Sequence, residues 1–183
     1  MIRVIIGKWG EVLTTLNGDK ELVDLNTPKG AMYVDGVAPV SERDYWDGKR
    51  FISIGEAPSP NHKFNYDLKD WIDPRTLDEI KAHKWAEIKS RRDSLEFGGF
   101  EFEGNIYDSD QVSQGRIMGA AVAGVDQIWT LADNTTIDLS ASQLQQLYAA
   151  LQAHTANAHE RGRIARQSIH EAETKEQVEE INL

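Results

Sequence analysis

Residues 100–107 read Phe-Glu-Phe-Glu-Gly-Asn-Ile-Tyr. Apolar and acidic side chains alternate about a Gly-Asn turn, the period-two pattern of a two-stranded hairpin. Its flanks have a different period. Upstream, Leu77, Ile80, Ile88 and Leu95, with Trp85 slightly offset, predict a helix with one apolar stripe. That helix begins at Asp73-Pro74, or alternatively at the capping box Thr76-x-x-Glu79, and ends at Gly98-Gly99. Downstream, Asp108-Ser109-Asp110-Gln111 caps a second helix through about Gly124, in which Ile117, Ala120, Ala121 and Gly124 suit close helix contact. Trp129-Thr130-Leu131 and residues 135–139 flank Ala132-Asp133-Asn134 as a second hairpin, expected near the first. Ser140-x-x-Gln143 opens a long helix with a seam of Leu144, Leu147, Tyr148, Leu151, Ala158, Ala165, Ile169 and Ala172, weakened at Gly162. Thr174-x-x-Gln177 starts a last short helix with Val178 and Ile181 inward.

The first seventy residues are punctuated as short antiparallel strands. An apolar run opens at Met1 and continues to Ile6, and Gly7 and Gly10 bracket Trp9. Residues 11–16 lead into Asn17-Gly18-Asp19, a tight-hairpin signal because Asn and Gly tolerate positive φ. Residues 31–34 precede Asp35-Gly36, and Tyr45-Trp46 precedes Asp47-Gly48, after which residues 50–54 read as another strand. The two Tyr-x-Asp-Gly units, twelve residues apart, predict successive hairpins of a meander. Residues 57–62, Ala-Pro-Ser-Pro-Asn-His, break regular structure before a last short strand over 63–66. The expected architecture is α+β: a β-rich module over 1–70, then a helical domain interrupted by two β-hairpins over 74–183.

Composition bounds the function classes. The 183 residues carry 20 Lys and Arg against 30 Asp and Glu, a net charge of −10. That acidity argues against nucleic acid as a partner, since phosphate neutralisation needs a basic footprint. The best candidate for a local basic patch, Lys81, Lys84, Lys89, Arg91 and Arg92, is interleaved with Asp78, Glu79, Glu87 and Asp93 and reads as a solvated helix face. No stretch approaches the length needed to span a bilayer, and the first ten residues lack signal-peptide features, so a soluble chain, not Sec-exported and with no membrane partner, is expected. Without cysteine, disulfides, thiolate metal sites and cysteine nucleophiles are excluded.

Catalytic and metal patterns are weak. His62, His83, His154, His159 and His170 lack zinc spacing, His154 and His159 being five residues apart on the long helix. Asp108-x-Asp110 resembles the start of a calcium loop, but Ser113 stands where that loop needs glycine, which favours helix capping. Glu101 and Glu103 share a strand face, yet an exposed hairpin offers little burial to separate their pKa values. No Gly-x-Ser-x-Gly elbow occurs, and Gly7-Lys8-Trp9-Gly10 is neither a phosphate loop nor a dinucleotide fingerprint. The expectation is a non-enzyme with no catalytic residue, cofactor or metal. Five tryptophans, Trp9, Trp46, Trp71, Trp85 and Trp129, are more informative, since Trp and Tyr serve both cores and interface hot spots. Trp85 and Trp129 are expected in the core and Trp46 at the surface. Trp9, Tyr45, Trp46 and Tyr148 are the interface candidates.

Several spaced motifs carry a family likeness. Residues 58–66 (Pro-Ser-Pro-Asn-His-Lys-Phe-Asn-Tyr), Trp71-Ile72-Asp73-Pro74-Arg75 and residues 85–93 (Trp-Ala-Glu-Ile-Lys-Ser-Arg-Arg-Asp) resemble a family of tailed-bacteriophage proteins. Gly99-Phe100-Glu101-Phe102 with Gly104, Tyr107-Asp108-Ser109-Asp110, residues 113–120 around Arg116-Ile117, and residues 129–134 (Trp-Thr-Leu-Ala-Asp-Asn) look like the carboxy-terminal domain of unknown function found in many phage tail-fibre and tail proteins. The likeness covers roughly residues 74–182, and the amino-terminal part is similar to the strand-and-turn modules preceding that domain. The resemblance implies a virion tail component, made in the host cytoplasm and placed at the tail fibre or baseplate, with other tail proteins as partners. It brings no catalytic residues. The alternative is a tail-fibre assembly chaperone absent from the mature particle, ranked lower because the Trp- and Leu-rich closing signature of such chaperones is not visible. Homo-oligomerisation through the seam over 144–172 stands beside internal packing of that seam.

Overall fold

A computed structural model of the protein describes residues 2–36, 38–39, 41 and 43–183. Met1, where the opening apolar run starts, lies outside them. The chain divides into two compact units, residues 1–75 and 76–183, and its architecture is α+β.

In the first unit, β1 (Ile2–Ile6) is central, pairing antiparallel with β2 (Val12–Asn17) on one edge and β3 (Met32–Asp35) on the other. A central strand is shielded on both edges, and Val4, Ile5 and Ile6 are fully buried. Asn17-Gly18-Asp19 does not make the predicted hairpin. Asp19 instead caps a short helix, α1 (Lys20–Asn26), accepting from Leu22 N at 2.9 Å. The turn that pairs β1 with β2 is Gly7 to Gly10, where Gly7 N donates to Glu11 O at 2.8 Å.

The meander also needs correcting. Asp35-Gly36 closes β3 onto β1, with Gly36 N donating to Ile2 O at 3.0 Å. Asp47-Gly48 does turn a hairpin, β4 (Asp44–Trp46) with β5 (Phe51–Ser53), held by the Asp47 carboxylate accepting from Lys49 N (2.7 Å) and Arg50 N (2.8 Å). The strand expected over 63–66 is β6 (Lys63–Asn65). Its partner, β7 (Asp70–Ile72), went unseen because three residues carry no readable period.

In the second unit, α2 (Leu77–Phe97) starts at the Thr76–Glu79 capping box. Asp73, the other candidate cap, is clamped by the Arg75 guanidinium at 3.0 Å. Ile80 and Ile88 are buried, whereas Leu95 stays on the exposed side of the predicted stripe. The hairpin over 100–107 consists of β8 (Phe100–Phe102) and β9 (Asn105–Tyr107). Its turn residues are Glu103 (φ 48°) and Gly104 (φ 77°), one position before the expected Gly-Asn. Next come α3 (Gln111–Ala123), capped by Asp110, then β10 (Gln127–Thr130) paired with β11 (Thr136–Leu139). Ala132 N donates to Ile106 O at 3.1 Å, which joins the two hairpins.

The long helix α4 (Ala141–Glu171) and the short α5 (Lys175–Glu179) open with the Ser140 and Thr174 capping boxes. The seam of α4 packs internally. Leu144, Leu147 and Leu151 join Phe100, Tyr107, Ile117, Leu131 and Leu139 in the main core. Ala165 and Ile169 meet Ile88, and Ala172 meets Ile80 and Val178. Gly162 does not interrupt the helix: it is buried, with the Arg92 stem where its side chain would stand.

Candidate aromatic docking site

Trp9 sits at the tip of the β1–β2 turn, its N–H donating to Glu11 Oε2 at 2.9 Å. Gly10 beside it has φ +90°, and a Cβ there would lie 2.2 Å from Trp46 O. Only glycine permits that approach. The contact is sealed by Trp46 N donating to Gly10 O at 2.8 Å and by a β-bridge between Glu11 and Tyr45. Two tryptophans 37 positions apart in sequence are thereby brought to one place.

The result is a solvent-open cleft of about 410 Å³ whose lining includes Trp9, Trp46 and Tyr66 together with Lys8, Lys69, Asp47 and Asp67. Rings behind it hold the wall. Phe64 lies 5.6 Å from Tyr45, 5.1 Å from Tyr66 and 5.5 Å from Trp71, and Trp46 meets Phe51 edge-on at 5.0 Å. Such tilted and edge-to-face pairs gain more than area burial alone. Trp71 Nε1 donates to Ile54 O at 2.8 Å, so this indole is satisfied.

Charges sit on these faces. The Lys8 ammonium stands 3.8 Å from the Trp9 ring centroid. Lys69 Nζ donates to Trp9 O and lies 4.6 Å from the Tyr45 centroid, which fixes it in the wall. The N–H groups of Arg50 and Lys49 hold the Asp47 carboxyl below its ordinary value.

Of the four interface candidates, Trp9 and Trp46 meet in this cleft and Tyr45 adjoins it through Lys69. Tyr148 lies in the second unit, half-buried against the main core. Trp46 is half-buried rather than at the surface. Trp85 and Trp129, expected in the core, are also only half-buried, each ring resting on a core cluster with its outer part uncovered. Trp85 carries Arg166 at 5.3 Å over its ring. Tyr66, Lys8 and Lys69 were missed in the sequence. The one usable signal was the Gly7-x-x-Gly10 bracket, which marks close backbone approach.

The remaining sequence candidates have other occupations. Glu103 is a turn residue, so it does not share a strand face with Glu101, and it accepts from Gln143 Nε2 at 3.2 Å. The Asp110 carboxyl caps α3 and is held below its ordinary value by the Ser113 hydroxyl and N–H. His154 Nε2 contacts Leu95 O at 2.8 Å and stacks on Phe100, while His159 faces the buried Glu96 at 3.2 Å. The basic run on α2 is not simply a solvated face. Lys81 donates to His170 O at 3.0 Å and Lys84 to Glu179 O at 3.1 Å, binding the carboxyl ends of α4 and α5. Among the described residues, no cluster of three metal-ligating groups occurs and no helix is long and apolar enough to cross a membrane. A second cleft of about 570 Å³ lies between α3 and the β10–β11 hairpin, with Arg116, Asp108, Trp129 and Asn134 in its lining.

A family model described as a domain of unknown function, DUF4376, matches residues 79–182. No curated protein and no solved structure matches the chain.

Proposed function

The chain belongs to the DUF4376 family, a domain of unknown function, and we propose, on other grounds, that it is a non-enzymatic bacteriophage tail component, associated with the fibre or baseplate, that holds neighbouring proteins at the aromatic cleft of its first unit. The observation that carries the docking half of this reading is the meeting of Trp9 and Trp46 in one solvent-open cleft backed by further rings. Preformed aromatic surface of this kind gives large contact area at small entropic cost, the chemistry of interface hot spots. The tail setting is supported by the resemblance of the spaced motifs between residues 58 and 134 to phage tail proteins.

Mass spectrometry of purified virions tests the setting. The polypeptide is expected in the particle, and the double variant Trp9→Ala, Trp46→Ala is expected to be retained far less than the wild type. If the chain is missing from particles while fibre subunits lose solubility without it, the assembly-chaperone alternative replaces this reading.

A further inference from the structure

One ring of the cleft already carries a cation of the chain's own. A lysine ammonium, Lys8 Nζ, rests 3.8 Å above the Trp9 ring. At that separation the ring quadrupole attracts a cation directly. Among the described residues Lys8 has no hydrogen-bonding or ion-pair partner, and its side chain is exposed at the tip of the turn. It can therefore swing away at the cost of that one contact. Lys69 cannot, being bonded to Trp9 O and lying over Tyr45.

Charge accounting points the same way. With both lysines in place, the ammonium groups of Lys8 and Lys69 balance the carboxylates of Asp47 and Asp67 around the cleft. Once Lys8 leaves, the lining keeps two carboxylates against a single cation. Asp67 is exposed and its carboxylate accepts no hydrogen bond among the described residues, so it is free to receive a donor. The attraction is local, since residues 1–75 carry 12 Asp and Glu against 10 Lys and Arg and so lend no strong field of their own.

We propose that the cleft receives a lysine or arginine side chain of a partner polypeptide, which enters between Trp9, Trp46 and Tyr66 beside Asp67 and displaces Lys8 from the Trp9 ring. This rests on the cleft being a docking surface and adds the identity of what docks. Lys8 is then an internal competitor that keeps the ring covered until a partner arrives.

The test titrates the full-length chain with the capped peptide Gly-Arg-Gly and its neutral isostere Gly-citrulline-Gly, following tryptophan fluorescence. Expected are saturable binding of the arginine peptide, at least tenfold weaker binding of the citrulline peptide, and weakening with added salt. Trp9→Ala should abolish binding when followed by titration calorimetry, which does not depend on the lost fluorophore, and Asp67→Asn should weaken binding severalfold. The decisive variant is Lys8→Met, which leaves the rings and carboxylates intact and should tighten binding severalfold. Equal binding of the two peptides, no saturation with the arginine peptide by about 50 mM, or weaker binding by Lys8→Met would overturn the proposal. Failure here with normal retention of the chain in virions overturns the cation assignment alone. Absence from virions with arginine binding intact overturns the tail assignment alone.

Discussion

Two small residues hold positions that larger or simpler side chains cannot take. Gly10 combines φ +90° with a virtual Cβ 2.2 Å from the backbone oxygen of Trp46. Gly10→Ala therefore meets both backbone strain and a clash with main chain that cannot rotate aside, and should destabilise the first unit by at least about 1–3 kcal/mol. Urea unfolding followed by tryptophan fluorescence checks this, and an unchanged midpoint would show that the turn and β4 are not locked together. In the second unit, the fully buried Ser109 donates to Glu96 O at 2.6 Å and accepts from Gly99 N at 2.9 Å. Ser109→Ala leaves both backbone groups unmet and should cost about 1–3 kcal/mol. Ser109→Thr, which keeps the hydroxyl, should lose less in the same denaturation experiment if its methyl is accommodated. At this scale the sequence was legible where a signal and its partner lie within four residues, as at Thr76, Asp110, Ser140 and Thr174. It was illegible at Asn17-Gly18-Asp19, because the same three residues suit a hairpin and a helix start, and tertiary packing of the next residues decides between them.

Elements show how far periodicity reaches. The seam of α4 was readable over 31 residues because one helical face repeats many times, whereas β6 and β7, at three residues each, offer no repeat at all. Gly162 is where reading and structure part. Sequence marks it as a weak point, yet the helix runs through it unbroken and its face is buried beside Arg92. An added methyl would meet the Arg92 side chain, with Cδ at 3.1 Å and Cγ at 3.6 Å the nearest atoms, part of a flexible stem. Since glycine costs about 0.8–1 kcal/mol against alanine inside a helix, Gly162→Ala should raise stability by up to about 1 kcal/mol. Thermal melting of the far-ultraviolet circular dichroism provides the measurement, and a lowered midpoint would mean that the Arg92 stem cannot yield. The candidate site was half legible on the same grounds. Trp9 and Trp46 announce themselves by residue type and turn context, but their meeting depends on a contact between Gly10 and Trp46 that no local pattern encodes.

For the molecule as a whole, charge sets the response to acid. Asp47, Asp110 and Asp133 are held below their ordinary values chiefly by hydrogen bonds from neighbouring N–H and hydroxyl groups, and Glu160 by the Arg163 guanidinium. A carboxyl with a depressed folded-state pKa contributes stability that is fully present above its unfolded value and is lost as pH falls through the folded one. The contribution of these four carboxyls should accordingly be constant from about pH 7 to 5 and fall away below about pH 4. Chemical denaturation at stepped pH tests this, and a decline already complete by pH 5 would contradict it. Replacing Asp110 by Asn, which retains capping ability without titrating, should flatten part of the acid limb.

The unbroken run of α4 past three successive partners has a bearing on which lengths this helix can adopt. Each residue turns the chain by about 100°, so inserting a single amino acid after Leu151 would swing Ala165 and Ile169 out of contact with Ile88 while leaving Leu144 and Leu147 seated. Additions of seven would restore the angular phase to within about 20° but carry the far end one stretch beyond Ile80 and Val178. The helix thus acts as a ruler with both ends fixed, and changes in chain length are better tolerated in the loops than along its shaft.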